Sequence, residues 1–149
     1  MKITSDSFKS NGNIPSKFTC DGDNVNPNLR FEDIAENSKS LVLIMDDPDA
    51  VPVAGFIWEH WLVWNINPST EEISENSVPR GAVEGRNSRG KNSYGGPCPP
   101  DREHRYYFRL YALDTVLDIS ISSQKKDIES AMKGHIVDRA ELIGKYKRK

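Results

Sequence analysis

No stretch of this chain approaches the roughly 20 apolar residues needed to cross a bilayer as a helix, which excludes that kind of membrane anchor. Charge of one sign is also missing. Twenty Lys and Arg stand against 22 Asp and Glu, so nothing points to nucleic acid or to an acidic membrane surface. The one basic run, Lys145-Tyr146-Lys147-Arg148-Lys149, is short and terminal; it reads as charge favouring a helix end, or as a solvated tail, rather than a docking site. Cysteine is scarce too. A reducing interior would keep Cys20 and Cys98 as thiols, although their separation in space, and with it a bridge, is not readable from sequence. The opening residues Met1 to Phe8 have neither an apolar core nor a small-residue cleavage site. A cytoplasmic location is therefore expected. Internal repeats and low-complexity linkers are absent, and 149 residues suit a single domain, 1–149, with enough interior for a real core.

What is present reads mainly as β-structure. Turn signals such as Asn11-Gly12-Asn13, Asp21-Gly22-Asp23, Asn26-Pro27-Asn28 and Asn67-Pro68-Ser69 separate short strand-like runs. Leu41-Val42-Leu43-Ile44-Met45 is short and wholly apolar, as a strand buried on both faces requires. It stops in Asp46-Asp47-Pro48-Asp49, where proline ends the ladder and leaves carboxylates at the strand's end. In the next run, strict alternation predicts Phe56, Trp58, His60, Leu62, Trp64 and Ile66 on one face, with Ile57, Glu59, Trp61, Val63 and Asn65 opposite. From His104 to Leu113, alternation sets His104, Tyr106, Phe108, Leu110 and Ala112 against Arg105, Tyr107, Arg109 and Tyr111. After residue 125 the period changes. Ile128, Ala131 and Met132 predict one short helix, stopped by Gly134; Ile136, Val137, Ala140 and Ile143 predict a second. The expected fold is a mainly β sandwich with short peripheral helices, two of them at the C-terminus.

Three clusters carry chemistry: Asp47-Pro48-Asp49, Trp58-Glu59-His60, and the long loop from Gly85 to Pro100 leading into His104-Arg105-Tyr106. If their strands are neighbours, two Asp, two His and one Tyr meet at one rim of the sheet. Imidazole and phenol groups would then donate to an anion, and the carboxylates would orient them and raise the histidine pKa values. Gly85-Arg86-Asn87-Ser88-Arg89-Gly90-Lys91-Asn92 spells most of a nucleotide phosphate loop, but Asn92 stands where Ser or Thr must hold magnesium. The next residues, Ser93-Tyr94-Gly95-Gly96-Pro97-Cys98-Pro99-Pro100, cannot form the helix that such a loop needs. Nucleotide hydrolysis is rejected. Asp47, Asp49, His60 and His104 offer ligands to a metal, yet only the Asp pair sits together on one element, so neither metal nor other cofactor is expected. A Cys/His hydrolase is the enzymatic alternative. It is weakened because Cys98 lies between prolines and Asp21 disfavours a thiolate at Cys20.

Several of these runs carry a family likeness. Asp47-Pro48-Asp49-Ala50, Trp58-Glu59-His60-Trp61-Leu62-Val63-Trp64-Asn65, Gly85-Arg86-Asn87-Ser88, and Tyr94-Gly95-Gly96-Pro97-Cys98-Pro99-Pro100 followed by His104-Arg105-Tyr106 resemble the phosphatidylethanolamine-binding protein family. They are most similar to its short prokaryotic-type branch, often called Raf kinase inhibitor-like proteins. Phe18-Thr19-Cys20-Asp21-Gly22 and Gly134-His135-Ile136 also fit that branch, and the likeness spans nearly the whole chain. The resemblance implies a Greek-key antiparallel β-sandwich with a small surface pocket for anions. By position, Asp47, Trp58, His60, Gly96, Pro97, His104 and Tyr106 match the family's pocket residues, with Asp49 in support. It also implies cis bonds at one or more loop prolines. Val51 stands where the family usually has proline, with Pro52 one step later, which predicts a shifted turn around Asp49. The longer C-terminal segment of eukaryotic members has no counterpart, so regulation through it is not expected.

The first expectation is a non-catalytic binding protein for small phosphate- or carboxylate-bearing ligands, such as a phospholipid head group, with affinity for simple phosphate near the millimolar end. The second is a serine protease or kinase inhibitor acting through protein contacts. A homodimer is implied only by the family likeness; Trp61 and Tyr111 are expected to pack beneath helices or loops rather than to line an interface.

Overall fold

The computed structural model describes residues 1–149. Nine strands run through it: β1 (Lys2–Thr4), β2 (Gly12–Asn13), β3 (Leu29–Glu32), β4 (Ser40–Asp47), β5 (Trp58–Ile66), β6 (Glu72–Ile73), β7 (Val83–Glu84), β8 (His104–Leu113) and β9 (Ile136–Tyr146). Two helices, α1 (Val51–Ala54) and α2 (Lys125–Met132), lie outside them. The strands form a six-stranded sheet in the order β2-β9-β8-β4-β5-β7 and a three-stranded sheet in the order β1-β3-β6.

The apolar run 41–45 has no polar side chain to turn outward, and β4 accordingly takes the middle of the larger sheet with all of its residues buried. Its two faces feed two cores. Leu41, Leu43 and Met45 pack with Ile3, Leu29 and Phe31 of the smaller sheet, forming the filling of the sandwich. Val42 and Ile44 point the other way, against Ile128 and Met132 of α2. α2 begins where Gln124 and Asp127 close a reciprocal capping box, and its chain reverses after Gly134 at φ +83°.

Alternation in β8 holds as read: Tyr106, Phe108, Leu110 and Ala112 all face the sandwich core. In β5 it fails, and the failure matters for the site. Met45 pairs with Trp61 but Asp46 pairs with Glu59, so His60 is an extra residue; a second irregularity falls near Asn65, at φ +55°. Each bulge switches the face of the residues beyond it. Trp61, Val63 and Ile66 therefore enter the sandwich core, while Leu62 and Trp64 pack under α2. Trp61 is buried, with its indole N–H donating to Glu84 Oε2 at 2.8 Å, and Tyr111 packs against the α2 core.

Further expectations are corrected. Residues 136–146 form strand β9, paired along β8 from Leu113↔Ile136 to His104↔Tyr146, so only one C-terminal helix exists. The spacing of Ile136, Val137, Ala140 and Ile143 fits a helix, but pairing with an already buried strand overrides a weak periodicity. The sandwich is also not wholly antiparallel, because β2 runs parallel to β9. Finally, all peptide bonds are trans, those before the loop prolines included. The loop turns through Gly95 and Gly96 instead and is tied down by a covalent bridge. Cys20 and Cys98 are joined with Cα atoms 5.5 Å apart, the bridge that sequence alone left open. Folding lays the turn after Phe18 against the 95–100 loop, where Cys20 N–H donates to Pro97 O at 3.1 Å. No helix is long and apolar enough to cross a membrane.

Candidate functional site

β4 lies between β5 and β8, so the C-terminal end of β4 meets the N-terminal ends of both antiparallel neighbours. This is why three clusters far apart in sequence share one rim. Asp47, Trp58, His60, His104 and Tyr106 line a single cavity of about 330 Å³. The bulge at His60 is what turns its ring to the Tyr106 side, where the two rings meet edge to face at 5.2 Å. Tyr106 also stacks near His104, with centroids 6.4 Å apart.

The other three predicted residues do not line the cavity. Asp49 is held away from it by Arg105, whose Nε and Nη2 both donate to its carboxylate at 2.9 Å; Arg105 N–H adds a third bond. That guanidinium fork holds the Asp49 carboxyl down at about 2. The turn carrying it runs from Pro48–Ala50 straight into α1. Gly96 and Pro97 shape the wall from behind. Gly96 N–H donates to Asn24 Oδ1 at 2.8 Å, and a Cβ there would strike Phe18 O, so only glycine fits this approach. Pro97 O accepts the Cys20 N–H.

Sequence reasoning missed the rest of the lining. Arg89 comes from the loop that mimics a phosphate-binding motif; Val53 and Ala54 come from α1, and Cys98, Pro99 and Pro100 from the tied loop. The 85–100 loop is laced to β5. Ser88 N–H donates to Glu59 O, Gly95 N–H donates to His60 O, and Asn87 Oδ1 accepts the Arg89 N–H at 2.9 Å. Its match to a nucleotide loop is therefore misleading in kind but correct in place: the loop does border the pocket.

The protonation of His60 differs from the expectation that carboxylates raise its pKa. His60 Nδ1 lies 2.7 Å from Gly95 O, an acceptor only, so Nδ1 carries the proton. Burial pushes the His60 pKa down to about 4, leaving a neutral ring with Nε2 unprotonated. The bond to Gly95 and the Asp46 carboxylate pull it upward, but burial outweighs both. His104 lies between two carboxylates, with Nδ1 2.6 Å from Asp47 Oδ2 and Nε2 2.7 Å from Asp101 Oδ1. Both of its nitrogens are thus occupied. Burial raises the Asp47 carboxyl pKa, against the pull of His104. Burial also raises the Tyr106 phenol, with Asp47 adding to it, so that phenol keeps its proton. Two buried atoms of the cavity walls find no partner: Asp47 Oδ1 and the Tyr106 hydroxyl. Unpaired polar atoms in a buried site are uncommon.

The chemistry for covalent catalysis by cysteine is missing, since the bridge leaves no free thiol; the Cys/His hydrolase is thereby overturned. No group of three or more His, Cys, Asp or Glu is placed to hold a metal ion. What the site offers is a polar floor beneath an apolar collar.

Known proteins share this fold. The family model described as phosphatidylethanolamine-binding protein matches residues 4–147. A UPF0098 protein of Methanothermobacter thermautotrophicus is 45% identical over 153 residues, covering 99% of each chain. One from Pyrococcus abyssi is 48% identical over 145 residues, covering 91% of this chain and 79% of its own. The crystal structure of a phosphatidylethanolamine-binding protein homologue from Chlamydia trachomatis superposes with a TM-score of 0.93 at 41% identity, covering 99% and 97% of the two chains. Escherichia coli YbcL, described as a member of the mammalian family, gives 0.91 at 29% identity over 99% and 98%. With matching motifs, a matching sandwich and a model match over nearly its full length, the chain belongs to the phosphatidylethanolamine-binding protein family.

Proposed function

We propose that this protein binds a small phosphate- or carboxylate-bearing ligand in the cavity between His60, His104 and Tyr106, without covalent chemistry. One observation carries the reading: the Tyr106 hydroxyl is buried, protonated and unpaired in the cavity wall. A hydroxyl in that state loses hydrogen bonding on folding and regains it from a bound acceptor. Trp58, Val53 and Ala54 supply an apolar collar suited to the carbon next to an anionic group.

The test is a calorimetric titration with inorganic phosphate. The wild type is expected to bind near the millimolar range. Tyr106→Phe removes only a hydroxyl that has no protein partner, so it should fold as well as wild type while binding at least fivefold more weakly. Equal affinity in the two proteins, or no binding by wild type at tens of millimolar phosphate, overturns the reading.

A second reading, inhibition of a protease or kinase through protein contacts, is favoured by exposed apolar side chains around the collar. Val51, Val53, Phe56 and Ile57 lie 37–48% exposed on and just after α1, and such a cluster suits a partner's surface. A panel of serine proteases separates the readings, because ligand binding alone leaves every one uninhibited.

A further inference from the structure

The groups inside the cavity do not form an ordinary anion receptor. Its buried polar atoms are mostly acceptors. Asp47 Oδ1 is an unpaired carboxylate oxygen, and His60, whose Nδ1–H is spent on Gly95 O, offers a ligand only the lone pair of Nε2. His104 has nothing left to donate, since Asp47 and Asp101 take both its nitrogens. The free side-chain donor among the buried atoms is the Tyr106 hydroxyl. A fully ionised oxyanion would meet this floor oxygen against lone pair.

The charges make the same point. Asp47 and Asp101 bring two negative charges, and His104 offsets at most one. Arg105 is committed to Asp49, and Arg102 sits 3.7 Å from Asp101. On the far face of the sheet, Arg109 and Lys125 are committed to Asp46. Arg89 alone among the lysines and arginines lines the cavity, and its guanidinium has no carboxylate or hydrogen-bond partner within the chain. Its backbone is fixed through Asn87 Oδ1, so the side chain is presented at the cavity by an ordered loop. Without Arg89 the lining would repel an anion.

We propose that the cavity selects an oxyanion that keeps one proton, a hydrogen phosphate monoester, with Arg89 as the residue that fixes this specificity. This rests on the binding function given above. The ligand's P–OH donates to Asp47 Oδ1 or His60 Nε2; its ionised oxygens accept from Tyr106 and Arg89. A phosphodiester has no P–OH and cannot satisfy the acceptors. A dianion has lost the same proton. The chemistry is that of a terminal phosphate, whether on a soluble molecule or on a lipid.

The experiment compares methyl phosphate, dimethyl phosphate and methyl sulfate by calorimetry with the wild type, Arg89→Lys and Arg89→Gln. Methyl sulfate is the decisive probe, being a tetrahedral monoanion with no proton to give. The wild type should bind methyl phosphate at least tenfold more tightly than either of the other two. Arg89→Gln should lose tenfold or more for methyl phosphate, and Arg89→Lys should recover part of it. The monoprotonated fraction of a monoester falls about twentyfold between pH 5.5 and 7.5, because its second pKa is near 6, and affinity should fall with it. The titratable and charged groups lining the cavity are Asp47 from β4, His60 from β5, Arg89 from its loop, and His104 and Tyr106 from β8, with Asp101 bonded to His104 Nε2 outside the lining. Methylphosphonate, which gives up its last proton at higher pH, separates their titration from the ligand's: the pH transition must move upward with it. Vesicles carrying phosphatidic acid, competed with free methyl phosphate, tell a lipid source from a soluble one, and uptake of either is uptake of a monoester. Equal binding of methyl sulfate, an unchanged Arg89→Gln, or a transition that ignores the ligand's pKa overturns this inference while leaving a plain anion pocket standing. No binding of any probe removes the pocket itself.

Discussion

Asp46 and Asp47 are consecutive residues of one strand, both buried at the same end of the sheet. Strand alternation sends them to opposite faces. Asp46 faces the α2 side, where Arg109 grips both its oxygens at 3.0 and 3.1 Å and Lys125 adds a contact at 2.7 Å. Asp47 faces the cavity, where His104 takes one oxygen and the other is left without a partner. The first carboxylate is saturated by the chain and the second is held half-open. On the binding proposed here, the difference separates stability from binding: the carboxylate given all of its partners holds the fold, and the one given half of them has an oxygen left for a ligand.

That contrast can be broken experimentally. Asp46→Ala strips two cations of their common partner, and the expected loss is about 3–5 kcal/mol in urea unfolding; the figure lies towards the lower end because Arg109 and Lys125 keep 24% and 15% of their side chains exposed. Should Asp46→Ala unfold at the wild-type midpoint, the structural half of the contrast is wrong.

A slightly smaller effect should follow from pH. His60 protonates near pH 4 in the fold and near 6.5 once unfolded. Between these values the unfolded chain holds the extra proton, so stability rises with pH through the window and is lost as pH falls from 6.5 to 4, by about 3 kcal/mol. His60→Gln should flatten that part of the stability profile. A profile of unchanged slope would mean that His60 is not the buried neutral ring described.

The smallest stability change belongs to Asp47→Asn, in which the amide oxygen still accepts from His104; about 1 kcal/mol is expected. Its effect should appear in ligand preference instead. An amide N–H in place of Oδ1 supplies the donor that an ionised oxygen wants, so discrimination against methyl sulfate should shrink. A large loss of stability with unaltered preference would place Asp47 beside Asp46 as a structural carboxylate.

Much of the fold is legible in the chain itself. The apolar run of β4 announces a central strand, the alternation of β8 places His104 and Tyr106 on one face, and Ile128, Ala131 and Met132 mark α2. The motifs carry the family. What local patterns do not supply is tertiary in origin. The bulge at His60 is invisible to strict alternation because it depends on the partner strand's register. β9 mimics a helix because its half-exposed side chains give no clean period of two. The bridge between Cys20 and Cys98 spans 78 positions and exists only because two loops converge. Arg89 reads as part of a failed nucleotide motif, and its role depends on what the loop lies against. Asp49 matches the family's pattern, yet its carboxylate is spent on Arg105.

The most direct measurement is the imidazole NMR spectrum of the three histidines during a phosphate titration at pH 6.5. His60 should begin as a neutral ring protonated at Nδ1, and its Nε2 signal should move as phosphate binds. His135, an exposed ring paired with Asp114 far from the cavity, should stay still. Movement at His135 alone, or a His60 ring protonated at both nitrogens before any phosphate is added, would contradict the account.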